Sequence, residues 1–248
     1  MNTKDFWENR LAQGIDLRTT GHRAFDLPYN QWLYQAQKDR LDLLLTKNQV
    51  PINNNTSLLD IGSGWGYFVE YFFDKGVTAI EGIDIAKPSI EYLQERYPCF
   101  TFYQADISAN TIPTQQKYDV ITAFSVVFHI VDDVNFKNAL LNMIKLLKPG
   151  GFLILCDTFE RRIIPTPGHV RFRSISAYAG IFYQSDMQVI DILPQYFFMN
   201  RTFIPKIGPW IINQFNLGKY IYLMDTKVMM KTNHNFGQVK LMLAQKKK

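Results

Sequence analysis

The chain has 248 residues, 47% of them hydrophobic and 15% aromatic, which suits one large α/β domain with a sizeable core. No run approaches the ~20 consecutive apolar residues of a membrane span, and the polar, acid-bearing start Met1 to Arg10 reads against a secretory signal. Two cysteines without a CxxC pair, Cys99 and Cys156, read against a disulfide framework and for a reducing cytoplasm, while the net charge of +5 comes without the dense basic stripe of a nucleic-acid binder.

Residues 1 to 50 read as a helical segment with aromatic anchors Phe6, Trp7, Tyr29, Trp32 and Tyr34. A strand follows at Ser57 to Ile61, then a helix from about Gly66 to Lys75, and a second strand at Thr78 to Asp84. Pro88 suits the first turn of the next helix. Strands three and four are expected near Phe100 to Gln104 and Val120 to Phe124. A helix from about Val134 to Leu147 should stop at Lys148-Pro149-Gly150-Gly151, before strand five at Phe152 to Cys156. Beyond it come a helix at Ser174 to Tyr183, a strand near Met187 to Ile192, an aromatic segment from Phe197 to Met230 and a closing strand at Gln238 to Ala244. Strands alternating with helices imply a mostly parallel sheet covered on both faces. Residues 51–248 are read as one domain, with 205–230 as a cap over its site because Trp210, Phe215, Tyr220 and Met224 offer more apolar surface than a connection should leave in water.

Leu58-Leu59-Asp60-Ile61-Gly62-Ser63-Gly64-Trp65-Gly66 is an apolar strand running into a glycine-rich turn and then a helix. Dinucleotide sites use GxGxxG; here the spacing is GxGxG with an acid, Asp60, ahead of the turn. Asp84 ends strand two, where a carboxylate can accept from two ribose hydroxyls. Asp106 follows strand three, where it can accept from an adenine amino group. Each residue has a plainer alternative: a tight turn for Gly62 and Gly64, a helix cap for Asp84, a surface turn for Asp106. Four features in register, counting the Leu-Lys-Pro-Gly-Gly element before strand five, make coincidence the weaker explanation.

With those motifs together, Ser57 to Asp157 resembles the class I S-adenosylmethionine-dependent methyltransferases, over about two-fifths of the chain. The resemblance implies a Rossmann-like, doubly wound α/β fold with a mostly parallel seven-stranded sheet, and S-adenosylmethionine as cofactor. It implies that Gly62, Ser63 and Gly64 pass the methionine moiety, that Asp84 with Ile85 holds the ribose, and that Asp106 and Ile107 flank the adenine. Phe124 and Ser125 would border the cofactor. Phe6-Trp7-Glu8-Asn9-Arg10 and Tyr29-Asn30-Gln31-Trp32-Leu33-Tyr34 look like the N-terminal segments of bacterial small-molecule methyltransferases. Trp7, Tyr29 and Tyr34 then either close over the cofactor or simply pack in the core.

Methyl transfer from a sulfonium is an in-line displacement, so the protein mainly aligns the acceptor and excludes water. A hydroxyl or protonated amine acceptor also needs its proton removed. His129, past strand four at the carboxyl edge of the sheet, and His169, on the loop beyond strand five, are the candidate bases; each has a packing or surface alternative. His22 and His234 lie outside the core pattern. No histidine spacing such as HxxxH suggests a metal, and Asp132 and Asp133 are adjacent rather than arranged around a pocket. Arg161, Arg162, Arg171 and Arg173 could meet an acidic substrate or be ordinary surface.

A small organic acceptor, methylated at oxygen, nitrogen or carbon, is the expected substrate. Phe124-Ser125-Val126-Val127 stands where amino-base nucleic-acid enzymes carry Asp/Asn-Pro-Pro-aromatic, so a nucleic-acid methyltransferase is the second reading. A module that holds the cofactor without turnover is the third. The sequence fixes neither the acceptor atom nor the oligomeric state.

Overall fold

The computed structural model describes residues 3–14, 16–159, 168–199, 207–229 and 239–248. The N-terminal segment is α1 (Thr3–Leu11), α2 (Leu17–Thr20) and the long α3 (Leu27–Lys47). Asp16 caps α2 by accepting from the Arg18 and Thr19 amides, and Asp26 caps α3 by accepting from the Tyr29 amide at 2.9 Å, with Pro28 in the first turn. The alternating region is β1 (Ser57–Ile61), α4 (Tyr67–Asp74), β2 (Ala79–Asp84), α5 (Lys87–Arg96), β3 (Thr101–Gln104), β4 (Tyr118–Phe124), α6 (Asp133–Leu146) and β5 (Leu147–Asp157). Then follow α7 (Ile175–Gln184), β6 (Met187–Tyr196), α8 (Ile207–Gln214), α9 (Gly218–Met229) and β7 (Val239–Lys246).

The seven strands form one sheet in the order β3-β2-β1-β4-β5-β7-β6. β1 to β5 pair in parallel, and β7 runs antiparallel between β5 and β6. The two-residue period of the strands sorts their side chains onto two cores. Leu58, Ile154, Leu241 and Leu243 face the side covered by α3, α4 and α5; Leu59, Leu153, Leu155 and Met242 face the side covered by α6 and α7. The strand order reverses beside β1, so a crevice opens at the carboxyl ends of β1 and β4, where open α/β sheets take their ligands.

Three elements differ from the sequence expectation. The chain is already extended at Leu147 and pairs with Tyr118, so Lys148-Pro149-Gly150-Gly151 is an irregular opening of β5 rather than a stop before it. β6 runs on to Tyr196 through two register shifts, and Pro194 is tolerated because this strand is the sheet edge. The third concerns the cap. In its described part, 207–229, α8 and α9 pack on α3: Asn213 accepts from the Asp26 amide, Tyr222 lies 5.1 Å from Trp32, and its hydroxyl donates to Asp39 at 2.5 Å. None of these residues lines the cavity described next. The remaining cap residues 205, 206 and 230 fall outside the described residues, as do Arg161, Arg162 and His234.

Candidate active site

A cavity of about 590 Å³ occupies the crevice at the carboxyl ends of β1, β2 and β4, within the ~300–1,000 Å³ typical of small-molecule sites. Its floor is the turn after β1. Gly62 and Gly64 have φ of 70° and 54°, a region that L side chains rarely enter. A Cβ on Gly62 would also stand 2.3 Å from Cγ2 of Val126, so the close approach of the loop after β4 excludes any side chain there. Ser63 is buried and donates to the Asp60 carbonyl at 2.9 Å, drawing the turn back onto the strand end.

Two carboxylates lie under this turn. Asp60 is buried and accepts from the Thr122 hydroxyl of β4 at 2.6 Å; burial pushes its pKa up to about 7, against that bond, and the nearby Asp84 charge adds to the rise. Asp84 accepts the Gly64 amide on one oxygen and the Ala86 amide on the other, each at 2.8 Å. Burial raises its pKa and these amides oppose the rise. Asp84 therefore ties the turn after β1 to the end of β2 while lining the cavity.

The rise at Asp60 has a consequence for stability. A carboxyl whose folded pKa lies above its unfolded value of ~3.9 contributes most below that value, and the contribution is lost as pH rises to about 7. Asp60→Asn removes the titration, so its melting point should gain on that of the wild type from about pH 4 to about pH 7 and run parallel above. Thermal unfolding across that range checks this; a constant difference between the two proteins would contradict it.

Asp106, Ile107 and Ile85 form one end of the cavity. One oxygen of Asp106 accepts from the Ser108 amide at 2.8 Å and its hydroxyl at 2.7 Å, which fixes the carboxylate plane. Phe124 and Ser125 border the middle; Phe124 stacks on Phe68 at 3.6 Å, and Ser125 holds a positive φ of 59° while its amide donates to Cys156.

The N-terminal segment closes the site. Trp7 lines it and packs edge-on against His129 at 5.0 Å. Arg10 lies over the Trp7 ring and donates to the Thr19 and Gly21 carbonyls, which ties α1 to the turn after α2. On α3, Leu33, Tyr34 and Gln37 face the cavity at helical spacing, and the Tyr34 hydroxyl bonds Thr20 at 2.8 Å. Tyr29 does not line the cavity. It is stacked on Phe25, and its hydroxyl donates to the Met199 carbonyl, so its role is packing.

His129 lines the cavity, and burial lowers its pKa to about 4. Its Nδ1 sits 3.2 Å from the His169 carbonyl. A carbonyl only accepts, so the bond requires the proton on Nδ1 and leaves Nε2 as the acceptor. The His169 side chain does not line the cavity; its ring stacks on Phe6 at 4.8 Å, and its backbone holds His129. Arg171 and Arg173 fasten the same stretch. Both pair with Asp133 and donate to the Val131 carbonyl, so they face the start of α6 rather than an acidic substrate.

Sequence reasoning missed Arg10, His22, Gln37, Tyr67 and Tyr196, all of which line the cavity. His22 had been set outside it. Its Nδ1 is buried with no partner, an unsatisfied polar atom beside a ligand-sized space. Arg10 stood inside the N-terminal motif, and Leu33, Tyr34 and Gln37 share a helix face, so both were within reach of the sequence. No local pattern marks His22.

Comparison with known proteins agrees with this geometry. Residues 58–151 match the family model described as methyltransferase domain. A ubiquinone biosynthesis O-methyltransferase of Vibrio vulnificus is 27% identical over 135 residues, 53% of this chain and 54% of that protein. The chain thus spans about half the length of the curated relatives it matches. In fold it is similar to the N-methyltransferase NodS from Bradyrhizobium japonicum in complex with S-adenosyl-l-homocysteine, with a TM-score of 0.61, 18% identity and coverage of 100% and 99% of the two chains. It is also similar to the [4+2]-cyclase SpnF, with a TM-score of 0.58, 15% identity and coverage of 85% and 80%. One fold therefore carries more than one chemistry, and the reaction has to be argued from the site.

Proposed function

We propose that this chain, which carries a class I S-adenosylmethionine-dependent methyltransferase domain over residues 58–151, transfers a methyl group to a small, largely apolar acceptor bearing a hydroxyl or amine. The observation that carries the reading is a single cavity that brings together the side-chain-free turn at Gly62 and Gly64, Asp84, and Asp106 with Ile107. These residues fit the cofactor chemically: bare backbone for the methionine arm, a buried carboxylate for the ribose hydroxyls, and a fixed carboxylate beside an apolar side chain for the adenine edge. When bound, the cofactor supplies an activated methyl group on a sulfonium.

The remaining lining belongs to the acceptor. Tyr34, Tyr67, Tyr196, Phe128 and Phe172 give it apolar and aromatic walls, with Gln37 and the unpartnered Nδ1 of His22 as polar groups. Aromatic faces also suit a cationic centre. His129 is the base: it is neutral at pH 7 because burial holds its pKa near 4, and Nε2 can take the acceptor proton as the new bond forms. His22 positions the acceptor.

The test is incubation with methyl-labelled cofactor and a small-molecule library, read by mass. One compound should gain a methyl group with matching formation of S-adenosylhomocysteine. Labelling of nucleic acid alone, or binding without any turnover, would overturn the reading. With an acceptor in hand, His129→Ala should cut kcat by about 10²-fold or more and leave S-adenosylhomocysteine affinity unchanged. His22→Ala should act mainly on the acceptor KM, and the kcat profile should lack a limb near pH 6.5. A normal kcat in His129→Ala would remove His129 from the chemistry.

A further inference from the structure

α8 and α9 present a solvent face of unusual composition. Trp210, Phe215 and Tyr220 are 63%, 65% and 64% exposed, and Ile207, Leu223 and Met224 lie on the same hairpin at 43–56%. Isolated exposed apolar residues are ordinary, but this many together, three of them large aromatics, mark an interaction surface. The other face of the hairpin is accounted for: Ile212, Leu217, Ile221 and Tyr222 pack into the core against α3.

The charge of this region selects the partner. Residues 192–248 contain nine Lys and Arg and one acid, Asp225, a net of +8; residues 1–191 contain 18 and 21, a net of −3. Asp225 is buried and accepts from the Phe197, Phe198 and Met199 amides, so it does not offset the surface charge. The exposed hairpin face thus offers Lys219 and Lys227 beside its aromatics and aliphatics, with no exposed carboxylate. Exposed Ile, Leu and Met add nothing to binding a phosphate backbone, and a face this basic repels its own copy. Lysines flanking Trp, Tyr and aliphatic side chains suit the interface of an anionic bilayer, where the rings sit at headgroup depth and the ammonium groups meet lipid phosphates.

We propose that the α8–α9 face docks the protein on anionic phospholipid membranes. The contact is peripheral: among the described residues no helix is long and apolar enough to cross a membrane. α3 lies directly beneath, contacting the hairpin through Trp32 and Asp39 and the cavity through Leu33, Tyr34 and Gln37, so docking sets the site one helix layer from the lipid surface.

The test is flotation of the full chain with vesicles of phosphatidylcholine alone and of phosphatidylcholine with one-third phosphatidylglycerol. The wild type should float with the anionic vesicles and only weakly with the neutral ones, and binding should weaken with salt. Trp210→Ser with Phe215→Ser should lower the partition coefficient by about tenfold or more, and Lys219→Glu with Lys227→Glu should remove the preference for anionic lipid. All four side chains are exposed, so melting points should stay within a degree or two of the wild type. No flotation, or flotation untouched by both pairs, overturns the proposal. So does a concentration-dependent dimer that the Trp210 and Phe215 substitutions abolish without any vesicle binding, which would make the face a contact between copies. Retention of single-stranded RNA, lost in the lysine variant, without vesicle binding would assign it to nucleic acid.

Discussion

Asp84→Ala should lose affinity for S-adenosylhomocysteine by about tenfold or more, and its melting point without ligand should fall as well. The first effect follows from losing a charged acceptor for the ribose hydroxyls, each such bond being worth about 1.5–3 kcal/mol. The second follows from the observed bonds. Asp84 accepts the Gly64 and Ala86 amides, so its removal leaves two backbone donors without partners at the base of the site. Leaving a buried donor unpaired costs about 1–3 kcal/mol, although the price of keeping the carboxylate buried is recovered at the same time. From sequence alone the residue was expected to face only the ligand, with folding nearly untouched; the two amide bonds correct that. Asp84→Asn keeps one oxygen for a backbone amide, so it should melt between the two proteins while still binding poorly. Calorimetric titration paired with melting curves separates the effects. A lowered melting point with unchanged affinity would reduce Asp84 to a structural tie.

Gly62→Ala should be the most damaging single methyl group that can be added to this chain. Alanine at a φ of 70° costs about 1–2 kcal/mol, and the overlap with Val126 adds about 1–3 kcal/mol of overpacking. The same movement displaces the cavity floor, so S-adenosylhomocysteine binding should fall with stability. Adding Val126→Ala removes the overlap and leaves the backbone strain. The double variant should therefore melt higher than Gly62→Ala alone, and the double-mutant cycle should show a favourable coupling between the two substitutions. A double variant that melts lower by the sum of the single effects would mean that the loop after β4 gives way and that Val126 does not police the turn.

These two residues also show what a sequence can reveal. The strand, turn and helix from Ser57 onward are local: their strand period, glycines and acids sit within 30 residues, and each keeps its expected place in the structure. Long-range neighbours were hidden. Nothing near Gly62 announces Val126, and nothing near Asp84 announces that its oxygens turn back to the glycine turn. The N-terminal aromatics divided by geometry. Tyr34 and Tyr29 are five positions apart on one helix and so face different ways, one to the cavity and one to Met199. His22 reached the site only because the α1–α2 corner folds across it, held by Arg10. The α8–α9 segment was legible as too apolar for a simple connection, but amphipathicity names a face without naming what it packs on. Half of that surface proved to belong to α3 and the other half to solvent.

Everything proposed for the cavity depends on which nucleoside it holds. The direct measurement is isothermal titration of the wild-type chain with S-adenosylhomocysteine and, separately, with NAD. Saturable binding of S-adenosylhomocysteine at one site per chain, weakened in Asp84→Ala and absent for NAD, is the predicted result. Binding of NAD with no response to S-adenosylhomocysteine would contradict the assignment of Gly62, Gly64, Asp84 and Asp106, and with it the proposed reaction.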